Sequence, residues 1–462
     1  MLLLLGLFGL PLLINPVITL SFDEVYLGPK VWWIYGVIVP ASMLLLWQGK
    51  QTLSNSRSIL LLSLWSAWLV LSALLNGGGG QAWWGNPDRA DGVLMHLVYA
   101  LVLLTGFVWA SVDSASYQRW TPAVLLGGSL LALTNIQQQM GLLGIPGEGA
   151  VSGVVATLYG GTLGHRGYLG GALALLLPVA AATVPRSRSW WLIWSVVTLM
   201  SWAWAGSFTR GAWLAGALGL IWLVLWQRKR VPWRTWGAVA LGIVLCVVTA
   251  QVRGAGRSFS ISGTATSAAV PAQALADSSG RGVLWNSALF GIQRRPLWGW
   301  GTPALLQAMN ARSSEKLLAE NGTRHIEAFR KINRNNNEFP NFLVTYRDGR
   351  KERVFLGGAV NKVHNEYLDY ALTYGLPAAL AFTVLLGWAI WSSRVAAPAL
   401  SAGLVAYAAY LFTWPEVVRF APIAWFFMGV ALAAGASTRR AAVKVQPCPS
   451  PPSKNGTPSP GS

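Results

Sequence analysis

Charged residues are scarce in this sequence of 462 residues, because Asp, Glu, Lys and Arg together make up only 11% of it. Soluble domains average about 25% charged residues. Hydrophobic residues make up 53%, and apolar runs of about 20 residues, each long enough to cross a bilayer, recur along the chain. A membrane β-barrel would instead show short alternating segments. The sequence therefore predicts an all-α polytopic membrane protein.

Acidic residues are the rarer charged type: 16 Asp and Glu stand against 35 Lys and Arg, a formal net charge of +19. In a soluble protein this excess would suggest nucleic acid as a partner. Here no basic soluble domain with base-stacking aromatics is present. Basic residues also orient membrane proteins and contact anionic lipid, so membrane lipid is expected and nucleic acid is not.

Cysteine is almost missing. Cys246 lies in an apolar run and Cys448 in a polar tail, so neither suggests a disulfide or a metal site. The N-terminal apolar run has no basic segment before it and no clear cleavage site. It is therefore expected to be the first helix and not a removed signal.

Twelve apolar segments are predicted to form membrane helices. They cover residues 1–20, 31–47, 58–76, 92–112, 121–139, 167–184, 189–206, 211–227, 235–251, 365–391, 395–412 and 418–436. An even number of spans places both termini on one side, and the Lys and Arg of the short loops concentrate there, so that side is expected to be cytoplasmic.

This topology divides the chain into four parts. Helices 1–9 occupy residues 1–251, a large outer loop covers 252–364, helices 10–12 occupy 365–436, and a disordered cytoplasmic tail covers 437–462. Within the loop, residues 258–280 are small and predicted to be flexible. An amphipathic helix is predicted after Gly280, and a hairpin is predicted to turn near Asp348 and Gly349.

The same topology places five basic candidates on the outer side: Arg89, Arg166, Arg210, Arg281 and His364. Arginine binds phosphate through two parallel hydrogen bonds and keeps its charge, so this set suits a phosphate-bearing lipid. The alternative is that each Arg only extends to the headgroup region, as single arginines at helix ends commonly do.

The stretch HNEYLDYALTYG begins with His364 at the point where the chain re-enters the membrane. Asn365, Asp369 and Thr373 recur every fourth residue and would form one polar stripe on a helix. Such a stripe should face the bundle interior or a watery cavity. His364 at its rim could take a proton from a sugar hydroxyl. The alternative is a helix cap formed by Asn365 and the acidic residues after it.

Three motifs resemble the O-antigen ligase family and its relatives. HNEYLDYALTYG is similar to a signature of His-Asn, nine residues and Gly, which places His364, Asn365 and Gly375, although Ala378 stands where the family has Gly, Thr or Tyr. TRGAWLA places Arg210, and SGRGVLWNSALFGIQRRPLWGWG places Arg281. The segment GTLGHRGYLGGALALLLP is similar to a glycine-rich start of a helix in the family. Family members often have Asn at the position that His165 or Arg166 occupies in this chain.

This resemblance implies a GT-C-like membrane enzyme with about twelve helices and a large periplasmic loop between helices 9 and 10. It would transfer a glycan from undecaprenyl diphosphate to an acceptor hydroxyl, such as a lipid A–core sugar, in the bacterial inner membrane. Arg210 and Arg281 would hold the diphosphate, with Arg166, Asn365 and Arg89 as further substrate-binding residues. His364 would orient or deprotonate the acceptor. Asp369 and Gly375 would support it, and neither a metal nor another cofactor is implied.

Other functions remain open within and beyond that family. The acceptor could be another repeat unit, as in a polysaccharide polymerase, or a Ser or Thr hydroxyl, as in a protein O-oligosaccharyltransferase. A transporter or flippase of lipid-linked glycan would also show buried polar groups. Transporters, however, usually carry broken helices in repeated halves near mid-bilayer, whereas the polar candidates here lie on one face.

Overall fold

The structure is a computed structural model. It describes residues 2–15, 22–49, 57–112, 116–142, 159–183, 190–227, 231, 233–252, 281–321, 323, 325–333, 338–356 and 362–444. Two predicted segments, the flexible stretch 258–280 and the tail beyond Lys444, lie outside the described residues.

The described chain is mostly helical. Its helices are α1 (Leu2–Gly9), α2 (Phe22–Tyr26), α3 (Gly28–Trp33), α4 (Val39–Gly49), α5 (Arg57–Leu75), α6 (Gly80–Trp84), α7 (Val93–Val112), α8 (Ser116–Gln139), α9 (Arg166–Ala181), α10 (Trp190–Ala205), α11 (Arg210–Gln227), α12 (Trp233–Val252), α13 (Arg281–Arg294), α14 (Ala304–Asn310), α15 (Ser314–Glu320), α16 (Glu366–Tyr374), α17 (Leu376–Ser393), α18 (Pro398–Leu411) and α19 (Ala421–Lys444). Each of the twelve predicted segments overlaps at least one of them.

Five helical stretches are long and apolar enough to cross a membrane: Asp23–Gly49, Arg57–Leu75, Val93–Val112, Trp233–Val252 and Leu376–Ser393. Five shorter apolar helices accompany them, at Leu2–Leu12, Arg166–Ala181, Trp190–Ala205, Pro398–Leu411 and Ala421–Ala436. Exposed apolar residues recur every fourth position on α5, α12 and α17, at Leu60 and Leu64, Val244 and Val248, and Leu380 and Val384. Such stripes suit contact with lipid. The chain is thus a helical, multi-pass membrane protein.

Small residues let the central helices approach each other closely. A Cβ added to Gly106 of α7 would lie 2.3 Å from the carbonyl oxygen of Phe426, and one added to Gly429 of α19 would lie 1.9 Å from that of Leu103. The two backbones therefore pack in direct contact, as small residues permit in membrane bundles. Helix α9 is buried along almost its whole length.

The prediction of one continuous helix over 365–391 is wrong, because the helix ends at Tyr374 and α17 begins at Leu376. Gly375 lies between them with φ of +89°, a conformation that favours glycine. A Cβ there would lie 1.7 Å from the carbonyl oxygen of Leu297. Trp300 N donates to Leu372 O at 2.9 Å, so the segment after α13 satisfies carbonyls at the end of α16.

The segment between α12 and α16 carries a small sheet, which departs from the predicted all-α class. Strands β1 (Ile326–Lys331), β2 (Asn341–Tyr346) and β3 (Lys351–Phe355) pair in the antiparallel order β1-β2-β3. The predicted hairpin is confirmed, with Gly349 at φ of +77° in its turn. The predicted amphipathic helix after Gly280 is confirmed as α13. Strand β1 was not predicted.

The ends of the chain also differ from the predicted bounds. Helix α1 ends at Gly9 and continues only as a short 3-10 turn to Leu12, whereas the sequence predicted a helix to residue 20. Pro11 lies in that turn. Helix α19 extends to Lys444, beyond the predicted end at 436.

Candidate active site

Trp414, in the connection between α18 and α19, lies at the centre of the candidate site. Its ring contacts aromatic or cationic side chains from four other parts of the chain. They are Arg281, whose guanidinium carbon lies 5.7 Å from the ring centroid, His364 at 5.2 Å, His165 at 5.0 Å, Tyr168 at 6.2 Å and Tyr410 at 6.5 Å. We call these six residues the Trp414 cluster.

Helices α9 and α11 approach Trp414 closely through glycines. A Cβ on Gly167 of α9 would lie 2.7 Å from Cη2 of Trp414. A Cβ on Gly211 of α11 would lie 2.2 Å from Oγ1 of Thr413 and 3.3 Å from Cδ1 of Trp414. The Trp414 segment therefore packs directly on the first turns of α9 and α11, where a larger residue would displace it.

Three of the helices that meet here begin in the same way. Arg166, Arg210 and Arg281 are the first residues of α9, α11 and α13, and each is followed by glycine. Arg210 is exposed, whereas Arg166 and Arg281 are partly buried. Burial lowers the pKa of Arg281, with Tyr410 opposing, yet a guanidinium stays charged at neutral pH. The three predicted arginines thus belong to one region.

The fourth helix, α16, begins directly after His364 and Asn365. Helix N-termini expose unpaired N–H groups and carry a partial positive charge, which attracts anions. Four such N-termini and three arginines therefore concentrate positive charge around the Trp414 cluster, while the nearby Glu366 and Glu416 are buried and accept hydrogen bonds. This arrangement can bind a multiply charged anion such as a diphosphate.

His364 has φ of +56°, an uncommon backbone conformation for a residue other than glycine. Burial lowers the pKa of its imidazole to about 3, and the charges of Arg89, Arg281 and His165 add to this effect. Nδ1 of His364 is buried and has no hydrogen-bond partner among the described residues. The imidazole is therefore neutral at physiological pH and able to accept a hydrogen bond.

Lys362 holds the segment before His364 in place. Its Nζ lies 2.6 Å from Oδ2 of Asp369 and 2.9 Å from Oδ2 of Asp91, and Val363 N donates to the other oxygen of Asp369 at 3.3 Å. Burial lowers the pKa of Lys362, but Asp369 and Asp91 outweigh it and hold the pKa well above its usual value. Asp369 thus anchors the backbone directly before His364, through Val363 N and through Lys362.

Asn365 serves as the cap of α16. Its side-chain oxygen accepts a hydrogen bond from Leu368 N at 3.1 Å, and the side chain is buried. Asp369 and Thr373 are also buried, as expected for a stripe that faces the bundle. A direct contact between Asn365 and a substrate stays a prediction.

Arg89 is joined to the Trp414 cluster through Tyr168. Its guanidinium donates to the Tyr168 hydroxyl at 3.3 Å, while Arg419 lies over the same ring at 5.3 Å and donates to Leu163 O at 2.7 Å. A small cleft here is lined by Arg89 and Arg419 and also by Asp88 and Glu416. Both signs of charge therefore meet at this opening.

A buried group with metal-ligand residue types lies deeper, at His96, Glu366 and Glu416, whose candidate ligand atoms all lie within 4.8 Å of one another. Three of the four carboxylate oxygens in this group already accept hydrogen bonds. Glu416 Oε1 accepts from the Tyr407 hydroxyl and from Trp425 Nε1 at 2.7 Å, while Oε2 accepts from the Tyr370 hydroxyl at 3.2 Å. Glu366 Oε2 accepts from Glu416 N at 2.7 Å, which joins α16 to the Trp414 segment.

Sequence reasoning missed Trp414, Tyr168 and Lys362. Trp414 is one of 26 tryptophans, and nothing in its own residue type marks it. Two signals could have found this region. One is the recurrence of Arg-Gly at helix starts, and the other is the polar interruption by Glu416 and Arg419 between two apolar helices.

Residues 195–383 match the family model described as O-antigen ligase. The matched segment contains Arg210, Arg281 and His364 and ends before Trp414. No curated protein matches the chain.

Proposed function

We propose that this chain, whose residues 195–383 match the family model described as O-antigen ligase, transfers a glycan from undecaprenyl diphosphate to an acceptor hydroxyl, with a lipid A–core sugar as the first candidate. In this proposal the chain is a GT-C-like enzyme of the bacterial inner membrane with about twelve spans and cytoplasmic termini. The region before α16, within residues 252–364, faces the periplasm together with the active site.

The observation that carries the proposal is the convergence of charge around Trp414. Three helices that begin with arginine meet the start of α16 there. A diphosphate is the part of a lipid-linked glycan that such a region would bind. Arg210 and Arg281 hold it and stabilise the charge that develops on the leaving group, and Arg166 and Arg89 strengthen the surrounding field.

The transfer proceeds in one displacement. The acceptor oxygen attacks the anomeric carbon while the bond from that carbon to the diphosphate oxygen breaks, so the anomeric configuration inverts. The hydroxyl proton passes to the imidazole of His364, and undecaprenyl diphosphate leaves with the bonding electrons. The arginines supply the positive charge that this leaving group needs, so the proposed reaction is independent of divalent metal.

Donor binding would adjust the basicity of His364. An imidazole with a pKa of about 3 is a weak base, and two charges that lower this pKa belong to Arg89 and Arg281. A diphosphate bound beside them would neutralise part of their effect and make protonation of His364 more favourable. Donor binding in this proposal therefore raises the basicity of His364, while burial, the largest cause of its low pKa, stays in place.

The test uses purified protein, undecaprenyl-diphosphate-linked glycan and EDTA, with and without lipid A–core. Release of undecaprenyl diphosphate and the mass of the product are measured. His364→Ala and Arg281→Ala should each lower turnover by at least about 100-fold, as expected for groups that act in the transition state. His325→Ala is the matched control for the first variant, because His325 also has positive φ but lies in the sheet segment. Arg294→Ala, at the far end of α13, controls for the second.

The product distinguishes the related functions. Glycan joined to lipid A–core identifies a ligase, a lengthened lipid-linked glycan identifies a polymerase, and glycan on an added Ser- or Thr-containing peptide identifies a protein O-oligosaccharyltransferase. If the wild type binds the donor but releases no undecaprenyl diphosphate with any acceptor, glycosyl transfer is refuted. Movement of the intact donor across vesicles would then support a transporter.

A further inference from the structure

We propose that Trp414 is a positioning residue of this enzyme, whose indole ring holds the Arg281 guanidinium and the His364 imidazole in their working arrangement. This inference rests on the proposed function, because its consequence is a change in glycan transfer. It adds a residue that lies outside the matched segment 195–383.

The contacts of Trp414 are those of a shared support. Arg281 and His364 reach the ring from chain segments far apart in the sequence, and both contacts are made with the same side chain. The ring of Tyr410 lies nearly parallel to that of Trp414, at an interplanar angle of 5°. The Trp414 ring is therefore fixed by packing while Arg281 and His364 depend on it for their relative placement.

The chemistry of the contacts favours an indole at this position. Tryptophan is the strongest of the aromatic residues in attracting a cation over its ring, and Arg281 is such a cation. Nε1 of Trp414, in contrast, is buried without a hydrogen-bond partner among the described residues. Burying an unpaired N–H is unfavourable, so a purely structural role would be served better by phenylalanine. The ring, and not the N–H, is what this site uses.

The first test compares Trp414→Phe with Trp414→Leu in the transfer assay. Leucine fills part of the volume but has no aromatic face, so Arg281 and His364 lose their common support. Misplacement of reacting groups by about 1 Å can cost about 100-fold in rate, and we expect a loss of this order in Trp414→Leu. Trp414→Phe retains a weaker aromatic face and should lose only about threefold. Rescue by the conservative variant separates positioning from simple bulk.

A matched control exists at another helix end. Trp391 also holds an arginine over its ring, with the Arg394 guanidinium carbon 3.7 Å from the centroid. Trp391→Leu removes a cation–π contact of the same type away from the Trp414 cluster. Transfer by this variant should stay within about twofold of the wild type. Size-exclusion profiles and unfolding midpoints of all variants establish that they fold.

A second test remains informative if Trp414→Leu fails to fold. Gly167→Ala places a methyl group 2.7 Å from both Cη2 and Cζ2 of Trp414 and should push the ring away from its position. These atoms belong to the part of the indole that phenylalanine lacks. Transfer should therefore fall in Gly167→Ala and return to the level of Trp414→Phe in the double variant.

Three outcomes would overturn the inference: near wild-type transfer by Trp414→Leu, an equal loss in Trp414→Phe and Trp414→Leu, or no rescue of Gly167→Ala by Trp414→Phe. Failure of the proposed function is recognised separately, because the wild type itself would then release no undecaprenyl diphosphate. In that case the variants are compared by their affinity for undecaprenyl diphosphate alone. Weaker binding by Trp414→Leu than by Trp414→Phe would still support the positioning of Arg281.

Discussion

Lys362 forms ion pairs with two buried carboxylates near His364. Removing its charge should lower the stability of the folded protein. Asp91 precedes α7, Asp369 lies on α16, and Lys362 is only 15% exposed between them. Lys362→Met keeps the apolar stem and removes the charge. Two carboxylates then face each other without their common partner, and the backbone that carries His364 loses its anchor.

The expected loss of stability follows from the two distances between Lys362 Nζ and the carboxylate oxygens. The bound oxygens lie 2.9 and 2.6 Å from the same nitrogen, so they are separated by no more than the sum of these distances. At such a separation two like charges repel by about 3 kcal/mol with an effective dielectric constant of about 20. Breaking a buried ion pair typically costs about 3–5 kcal/mol, which agrees. With an unfolding entropy of about 2.1 cal/mol/K per residue, a loss of this size lowers the unfolding midpoint of a chain of 462 residues by roughly 3–5 °C.

Thermal unfolding of detergent-solubilised protein, followed by tryptophan fluorescence at pH 7.5, measures this change. Lys351→Met, which removes an exposed lysine on β3, is the control. The double variant Lys362→Met with Asp91→Asn should recover at least half of the lost stability, because only one carboxylate remains. A midpoint for Lys362→Met within about 1 °C of the wild type, or no recovery in the double variant, would refute the reasoning.

The effect also has a defined pH dependence. Burial raises the pKa of Asp91, but Lys362 and Arg89 outweigh it and hold the pKa below its usual value. In the wild type the stabilisation by ionised Asp91 is therefore present above the unfolded pKa of about 3.9 and is lost as the pH falls through the lower, folded pKa. Without Lys362, burial favours the protonated form of Asp91. The stability difference between Lys362→Met and the wild type should therefore be smaller at pH 5 than at pH 7.5.

Three further outcomes are expected. Gly375→Ala should lower the unfolding midpoint strongly, because its Cβ would lie 1.7 Å from a backbone carbonyl oxygen, whereas Gly387→Ala on α17, with nothing within 4 Å, should leave it unchanged or slightly higher. Glu416→Gln should cost about 1–3 kcal/mol in an unfolding titration, because a neutral amide oxygen accepts weaker hydrogen bonds than a carboxylate and the NH₂ group cannot accept the bond from Tyr370. The acid limb of kcat/KM for transfer should lie below pH 4.5, because the pKa of His364 in the free enzyme is about 3, and the acid limb of kcat should lie at higher pH if bound diphosphate restores basicity. A kcat/KM limb near pH 6.5 would contradict the burial of His364.

Long apolar runs predicted the helical part of the fold. They are a nearly sufficient signal because each membrane segment must satisfy its own backbone hydrogen bonds. The same signal failed at Gly375. The apolar run continues through this position without a change, so the break is invisible in hydropathy. The break has a local cause in Pro377, which lacks the N–H that would continue α16, and a tertiary one in the carbonyl of Leu297, which occupies the space where a side chain at Gly375 would be. Strand β1 was missed for a different reason. Both of its faces are partly exposed, so buried and exposed residues do not alternate along it.

The candidate site was predictable only in part. Arg210, Arg281 and His364 lie in local motifs that the sequence displays directly. The residues that bring them together come from elsewhere: Trp414 follows α18, and Lys362 depends on Asp91 before α7. Such pairings depend on how distant segments pack, and a single sequence contains no local signal for them.

The three arginines at helix starts give a separate physical reason to expect an anionic substrate. A cation in the first turn of a helix is unfavourable, because it meets the positive end of the helix dipole, and acidic residues are preferred there. Helices α9, α11 and α13 nevertheless begin with Arg166, Arg210 and Arg281 and have no acidic residue in the first turn. One such helix would need no explanation, but three of them bring an arginine and a positive dipole end to the same region near the Trp414 cluster. Sequences depart from local preferences in this way mainly at functional sites. A bound anion converts the same charges and dipoles from repulsion into attraction, so the unfavourable starts of these helices are themselves support for an anionic substrate.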